Sequence, residues 1–232
     1  MTDPGEDVLD NPVRAALLGP QAGFAERHGQ AVRYPLDVSP FGALPDDPDA
    51  AAWRDAAALA GPGGFLATAV VSVSPPADWE VVLDIPGVQM VDASVAAAPD
   101  PEAVALGPAD AAEMMELVRA TRPGPFLERT VALGGYLGIR RGGRLVAMAG
   151  ERMRPPGWAE ISAVCTAADY RGQGLGTRLV LAVAAAIRDR GETPFLHTAA
   201  DNVNAIRLYE SLGFRHRRTA TFRAARVPAP AA

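Results

Sequence analysis

Lysine is missing from this 232-residue chain, and all 22 basic side chains are arginine. A phosphate-binding loop of the Gly-Lys-Ser/Thr kind is thereby excluded. Asparagine and isoleucine are scarce and alanine is abundant, a bias that reads as genomic base composition rather than an arginine-specific function. Cysteine occurs once, at Cys165, so no internal disulfide can form, as suits a reducing compartment. Long apolar runs are lacking too. The longest helical one, Leu179 to Ile187, falls far short of the roughly 20 residues that a membrane-spanning helix needs. The first ten residues hold Asp3, Glu6, Asp7 and Asp10 and no basic group, unlike a secretory leader. The net charge of −5 gives no general attraction to nucleic acid or anionic lipid. With 49% hydrophobic residues the chain can bury a core, and a folded cytoplasmic protein is expected.

Two textures divide the sequence. Residues 1–101 are rich in proline and alanine and carry no chemical motif. They offer a helix near Pro12–His28, a second near Asp49–Ala60, and strands near Phe65–Ser72 and Trp79–Asp84. The stretch Ala96 to Pro101 reads as a linker, because prolines and small residues bury little and block pairing. An N-terminal α/β domain of unassigned function is expected over 1–101, with elements of suitable length to be a degenerate copy of the domain that follows.

From residue 103 onward helix and strand signals alternate. Val104–Leu106 is a short strand. Asp110 is placed to cap a helix with Glu113 completing a capping box, and Met114, Leu117 and Val118 share one helix face. Tyr136–Arg140 and Leu145–Glu151 flank Arg141–Arg144 as a hairpin. Glu160–Thr166 follows the turn Pro155–Gly157 as a strand. Leu175, Leu179, Val183 and Ile187 recur every fourth position, so 175–189 is an amphipathic helix that Gly191 ends. Phe195–Thr198 is the next strand. Ala205, Leu208 and Leu212 mark a helix stopped by Gly213, and the last strand or strands run from Phe214 to about Arg223. Residues 226–232 should form a flexible tail.

Chemistry concentrates in two segments. In the first, the strand Val164-Cys165-Thr166 runs into Arg171-Gly172-Gln173-Gly174-Leu175-Gly176-Thr177, where a helix opens. Glycines let backbone approach an anion, the first helical turn points unpaired N–H groups at it, and Arg171 adds a cation. The spacing of Gly172, Gly174 and Gly176 is not G-x-G-x-x-G, so a dinucleotide fingerprint is a poor match. The second segment, Asn202 to Phe214, reads N-x-x-A-I-x-L-Y-x-x-L-G-F. An R-x-x-G-x-G loop at a strand–helix junction, followed about thirty residues later by this pattern, resembles the GCN5-related N-acetyltransferase (GNAT) superfamily and its FR47-like subgroup. The resemblance covers roughly 103–225 and is strongest over 160–215.

That resemblance implies an α/β (α+β) fold: a mixed central sheet flanked by helices, with splayed fourth and fifth strands. Acetyl-CoA would enter the gap as cosubstrate, with no metal. Its pantetheine arm would pair with Val164, Cys165 and Thr166 like an added strand, and its diphosphate would take the amides of Arg171, Gly172, Gln173, Gly174, Leu175, Gly176 and Thr177. Asn202 would contact the CoA arm, and Tyr209 would reach the thioester sulfur. The implied partner is an amine-bearing small molecule or peptide; nucleic acid and membrane are not expected, and a homodimer is left open.

An alkyl ammonium, with a pKa near ~10.4, must lose a proton before it attacks. His197 could take it, and Glu160 and Glu151 are rivals. Plainer readings stand beside these. Tyr209 could be a packing aromatic, His197 a structural histidine and Cys165 an inert strand residue. Asn204 reads as a helix N-cap rather than a ligand, and Arg215–Arg218 as a solvated strand end. Phe126, Glu128, Arg152, Met153 and Arg154 could line the acceptor side, though core and surface roles account for them as well.

Overall fold

In the computed structural model, which describes residues 5–70 and 73–229, helix α1 (Pro12–Leu18) is followed by strands β1 (Glu26–His28), β2 (Ala31–Arg33) and β3 (Gly42–Ala43). Helix α2 (Ala50–Ala60) and strands β4 (Phe65–Ala69) and β5 (Glu80–Asp92) complete the first part. Then come β6 (Val104–Leu106), α3 (Ala111–Thr121), β7 (Tyr136–Arg141), β8 (Arg144–Glu151), β9 (Trp158–Thr166), α4 (Leu175–Asp189), β10 (Thr193–Ala199), α5 (Val203–Ser211) and β11 (Phe214–Arg226). The end of the strand expected over 65–72 and the last residues of the tail, 230–232, lie outside the described residues.

Local chemistry sets several boundaries. Asn11 caps α1 by accepting from the Arg14 amide, with Pro12 in the first turn, and Asp49 caps α2 by accepting from Ala52 at 2.8 Å. The first helix is shorter than its pattern suggested, because Gly19 and Pro20 stop it. The capping box expected at Asp110 does not form. Asp110 accepts from the Gly107 amide and Arg140 instead, and Glu113 reaches across to Arg140 and to the Leu145 amide.

Eight strands form one sheet in the order β4-β11-β5-β10-β9-β8-β7-β6, and β1-β2-β3 form a second. Every pair in the large sheet is antiparallel except β9 with β10. Strand β5, which the sequence placed before the linker, lies between β10 and β11. The large sheet is therefore drawn from both sides of residues 96–101. Nor is that stretch loose: Asp100 accepts from Arg178 of α4 at 2.6 and 2.8 Å, and the Ala98 amide donates to Leu181. The tail is tied down at its start, where Val227 is buried and bonds through its backbone with Gly63 and Gly64.

Two main clusters of buried side chains pack on the sheet, the larger one also taking in Met114, Leu117 and Val118 of α3. Helix α4 packs on β7 to β10, and Leu179, Val183 and Ile187 of α4 join Met90, Leu196, Tyr209 and Phe214 in the larger cluster. A second cluster brings Leu9, Val13, Leu17, Tyr34 and Phe41 of the N-terminal segment onto Val91, Trp158 and Phe195. Side chains alternate along a strand, so Leu196 faces α4 while Phe195 and His197 face the N-terminal layer.

Candidate active site

Strands β9 and β10 are parallel neighbours only over four rungs, from Trp158–Thr193 to Ile161–Leu196. Beyond that rung β9 continues to Thr166 beside β8, while β10 continues to Ala199 beside β5. The strands part, as the family resemblance implied, and the inner edge of β9 past Ile161 has no strand partner among the described residues. Ala163 stands at φ 54°, in the left-handed region, where the register with β8 skips a residue between Met148 and Gly150. A bulge of this kind bends its strand and increases the local twist.

The gap leads to the start of α4. Gly174 is the N-terminal cap at φ 74°, with no side chain bonded to the helix end. The amides of Gly172 to Thr177 find no acceptor among the described residues. A Cβ added to Gly172 or Gly174 would meet nothing within 4 Å, so the loop fronts open space. At Gly176 an added Cβ would lie 3.6 Å from Thr166 Oγ1 and 3.8 Å from Val164 Cγ1, which seats the helix start on β9. Arg171 folds back and donates to the Thr166 carbonyl at 3.3 Å. A ring of unpartnered donors, a glycine surface and a helix dipole make this a fit place for a diphosphate.

Tyr209 lies on the α4 side of the sheet, buried edge-on against Phe214 with centroids 6.1 Å apart. Burial alone pushes its hydroxyl up to about 12. Asn202, not Asn204, is the N-cap of α5: its Oδ1 accepts from the Ala205 amide at 3.2 Å. Its amide nitrogen is left to donate. Cys165 is buried, and burial raises its thiol to about 11, partly offset by the Thr121 hydroxyl of α3 and the Met148 backbone. A buried thiol that resists ionisation fits a packing role.

The structure brings Glu160 and His197 together but ties up both. Glu160 is fully buried, and its carboxylate accepts from Arg152 Nε and Nη2 at 2.8 and 2.7 Å and from His197 Nδ1 at 2.7 Å. Burial opposes ionisation, but Arg152 and His197 overcome it and hold the carboxyl at about 2. The His197 side chain is 1% exposed, between the rings of Phe195 and Phe222. The carboxylate oxygens of Glu160 and both ring nitrogens of His197 already have partners in this arrangement. Glu151, on the α4 side, is buried against Arg190 at 2.6 Å. Met153 and Phe126 are core residues. Arg217 is no solvated strand end; it binds Glu6, Asp10 and Gln89. Sequence reasoning missed Gln89, although a lone amide within the apolar run Val88–Val91 was a signal.

Parallel strands that part over a donor-rich helix start are the arrangement that the family resemblance implied. The model of the FR47-like protein family matches residues 136–224. A GNAT-family protein of Novosphingobium aromaticivorans DSM 12444 shares 42% sequence identity at a TM-score of 0.85, over 94% of this chain and 97% of that one. A GCN5-related N-acetyltransferase from Kribbella flavida shares the fold at a TM-score of 0.60, with 21% identity over 94% and 96% of the two chains. A search of curated proteins finds no match. The chain belongs to the GCN5-related N-acetyltransferase (GNAT) family. No helix among the described residues is long and apolar enough to cross a membrane.

Proposed function

We propose that the chain transfers the acetyl group of acetyl-CoA directly to a primary amine while both are bound. One observation carries this reading: unpartnered amides from Gly172 to Thr177 stand at the end of the gap that begins after Ile161 and Leu196. The diphosphate is assigned to those amides, the pantetheine arm to the open edge of Val164, Cys165 and Thr166, and a further CoA contact to the free nitrogen of Asn202. Attack on the thioester builds charge on its oxygen, and main-chain N–H groups at the open edge of β9 are the donors at hand.

Tyr209 is assigned to the thioester sulfur, as a hydrogen-bond donor rather than a full acid. Its hydroxyl, pushed up to about 12, stands against a thiol near ~8.5, and complete transfer would be uphill by about 5 kcal/mol. Cys165, buried and hard to ionise, supports direct transfer over a covalent acyl-enzyme. The acceptor is a small-molecule or peptide amine in the cytoplasm. The test mixes protein and acetyl-CoA with an amine library and follows free thiol. Amine-dependent thiol release is expected. A second reading, a non-catalytic acyl-CoA sensor, is favoured by the engaged lone pairs of Glu160 and His197, and predicts CoA binding with no release for any amine.

A further inference from the structure

The fork of the gap is closed by side chains rather than main chain. Backbone pairing between β9 and β10 ends at Ile161–Leu196, and His197 is the next residue of β10. Its Nδ1 reaches back to Glu160 Oε1 at 2.7 Å, and so ties the two strands at the last paired rungs. Arg152 grips the same carboxylate from the far side.

The other ring nitrogen is equally constrained. His197 Nε2 lies 3.0 Å from Gln89 Nε2 of β5, which also donates to the Leu9 carbonyl at 2.9 Å. The opposite end of the Gln89 amide, Oε1, accepts from Arg217 Nη1 at 2.8 Å. A guanidinium can only donate, so Arg217 fixes the amide with its oxygen outward and its NH₂ toward the ring. One of those hydrogens goes to Leu9, and the other needs an acceptor, which only an unprotonated Nε2 supplies. The proton of the ring then sits on Nδ1 and donates to Glu160. Arg217 is itself held by Glu6 and Asp10. The buried Tyr34 and Tyr136 also stand beside the Arg152–Glu160 pair.

We propose that Arg217, acting through Gln89, holds His197 as its neutral Nδ1–H tautomer, so that Arg152, Glu160 and His197 form a pin that fixes where β9 and β10 part. His197 is thus a positioning residue and not the proton acceptor of the transfer. The lone pair a base would use is already filled, and using it would require Gln89 to turn over and abandon Arg217.

With three histidines in the chain, and His28 and His216 exposed, nitrogen NMR of ¹⁵N-histidine-labelled protein resolves the buried ring. The expected spectrum at neutral pH shows one ring protonated at Nδ1 and bare at Nε2. A buried ring protonated at Nε2, or at both nitrogens, overturns the proposal. In Gln89→Glu the ring faces two carboxylates and should become doubly protonated; an unchanged ring in the folded variant also overturns it. His197→Asn keeps a donor near Glu160. Its turnover should stay within about tenfold of the parent, with a raised KM for acetyl-CoA and an unchanged kcat–pH profile, whereas a hundredfold loss of kcat, the scale of a lost general base, overturns it. A protein that releases no thiol with any amine fails the proposed transfer, while the ring spectrum still decides this inference.

Discussion

Arg152 and Glu160 form a bidentate ion pair, 2.7 and 2.8 Å long, with the carboxylate fully out of water. The folded carboxyl, held near 2, lies below its ordinary value of 4.5. A depressed acid stabilises the fold above its unfolded pKa and ceases to do so as pH falls toward the folded one. Stability on the order of 3 kcal/mol should therefore disappear between about pH 4.5 and pH 2. Urea unfolding across that range measures it. Glu160→Gln should be less stable at neutral pH by about 3–5 kcal/mol, since Arg152 is left buried and unpaired, and should show a shallower acid slope. Equal acid slopes in the two proteins would remove Glu160 as the source.

Tyr209→Phe separates binding from chemistry. The ring packs on Phe214, so phenylalanine should preserve the fold and the affinity for acetyl-CoA. A hydrogen bond to a charged group contributes about 1.5–3 kcal/mol, so turnover should fall roughly tenfold to hundredfold. Titration calorimetry gives the affinity and thiol release gives the rate. An unchanged rate would leave Tyr209 as a packing aromatic.

At Gly174 the open space in front of the loop makes charge the deciding variable. Gly174→Ala should cost about 1–2 kcal/mol of stability, because φ 74° strains any side chain, yet should still bind CoA. Gly174→Glu adds bulk and a negative charge where the diphosphate is assigned, and should abolish binding at similar stability. CoA at one hundred times its dissociation constant should stabilise the parent by about 2.7 kcal/mol and leave the glutamate variant unmoved. Tight CoA binding by folded Gly174→Glu would place the diphosphate elsewhere.

What could be read from sequence was local. Helix α4 was delimited correctly because its four-residue apolar repeat, its glycine start and Gly191 all agree. The parting strands were legible only by resemblance. The strand expected near Trp79–Asp84 runs on as β5 to Asp92, through Pro86 and Gly87. In the fold they mark the point where β5 gains β10 as a neighbour: the Ala200 amide donates to the Pro86 carbonyl, and a Cβ on Gly87 would strike the Phe222 ring at 2.7 Å. That pairing spans more than a hundred residues of chain, a distance over which no periodicity speaks. The buried Arg152–Glu160–His197 unit was hidden for a related reason. Charged residues default to the surface, and only the N-terminal layer over this face of the sheet buries them.

Gly213 offers a sharper test of how the fold carries the site. It ends the α5 turn at φ 101°, and its carbonyl accepts from the Ala93 and Ser94 amides at 3.1 and 3.0 Å. An added Cβ would lie 2.6 Å from the Ser94 carbonyl carbon and oxygen and 2.8 Å from the Val95 nitrogen, all backbone atoms that cannot swing aside. Gly213→Ala should therefore combine left-handed strain of about 1–2 kcal/mol with overpacking of about 1–3 kcal/mol. The control is Gly143→Ala in the β7–β8 turn, where φ is 82° but nothing lies within 4 Å, so only the strain applies. Thermal unfolding should show the larger drop for Gly213→Ala, and thiol release should suffer in that variant alone, because the displaced turn carries Tyr209 with it. Equal losses in the two variants would show that the close approach to Ser94 is not what locks α5 against the end of β5.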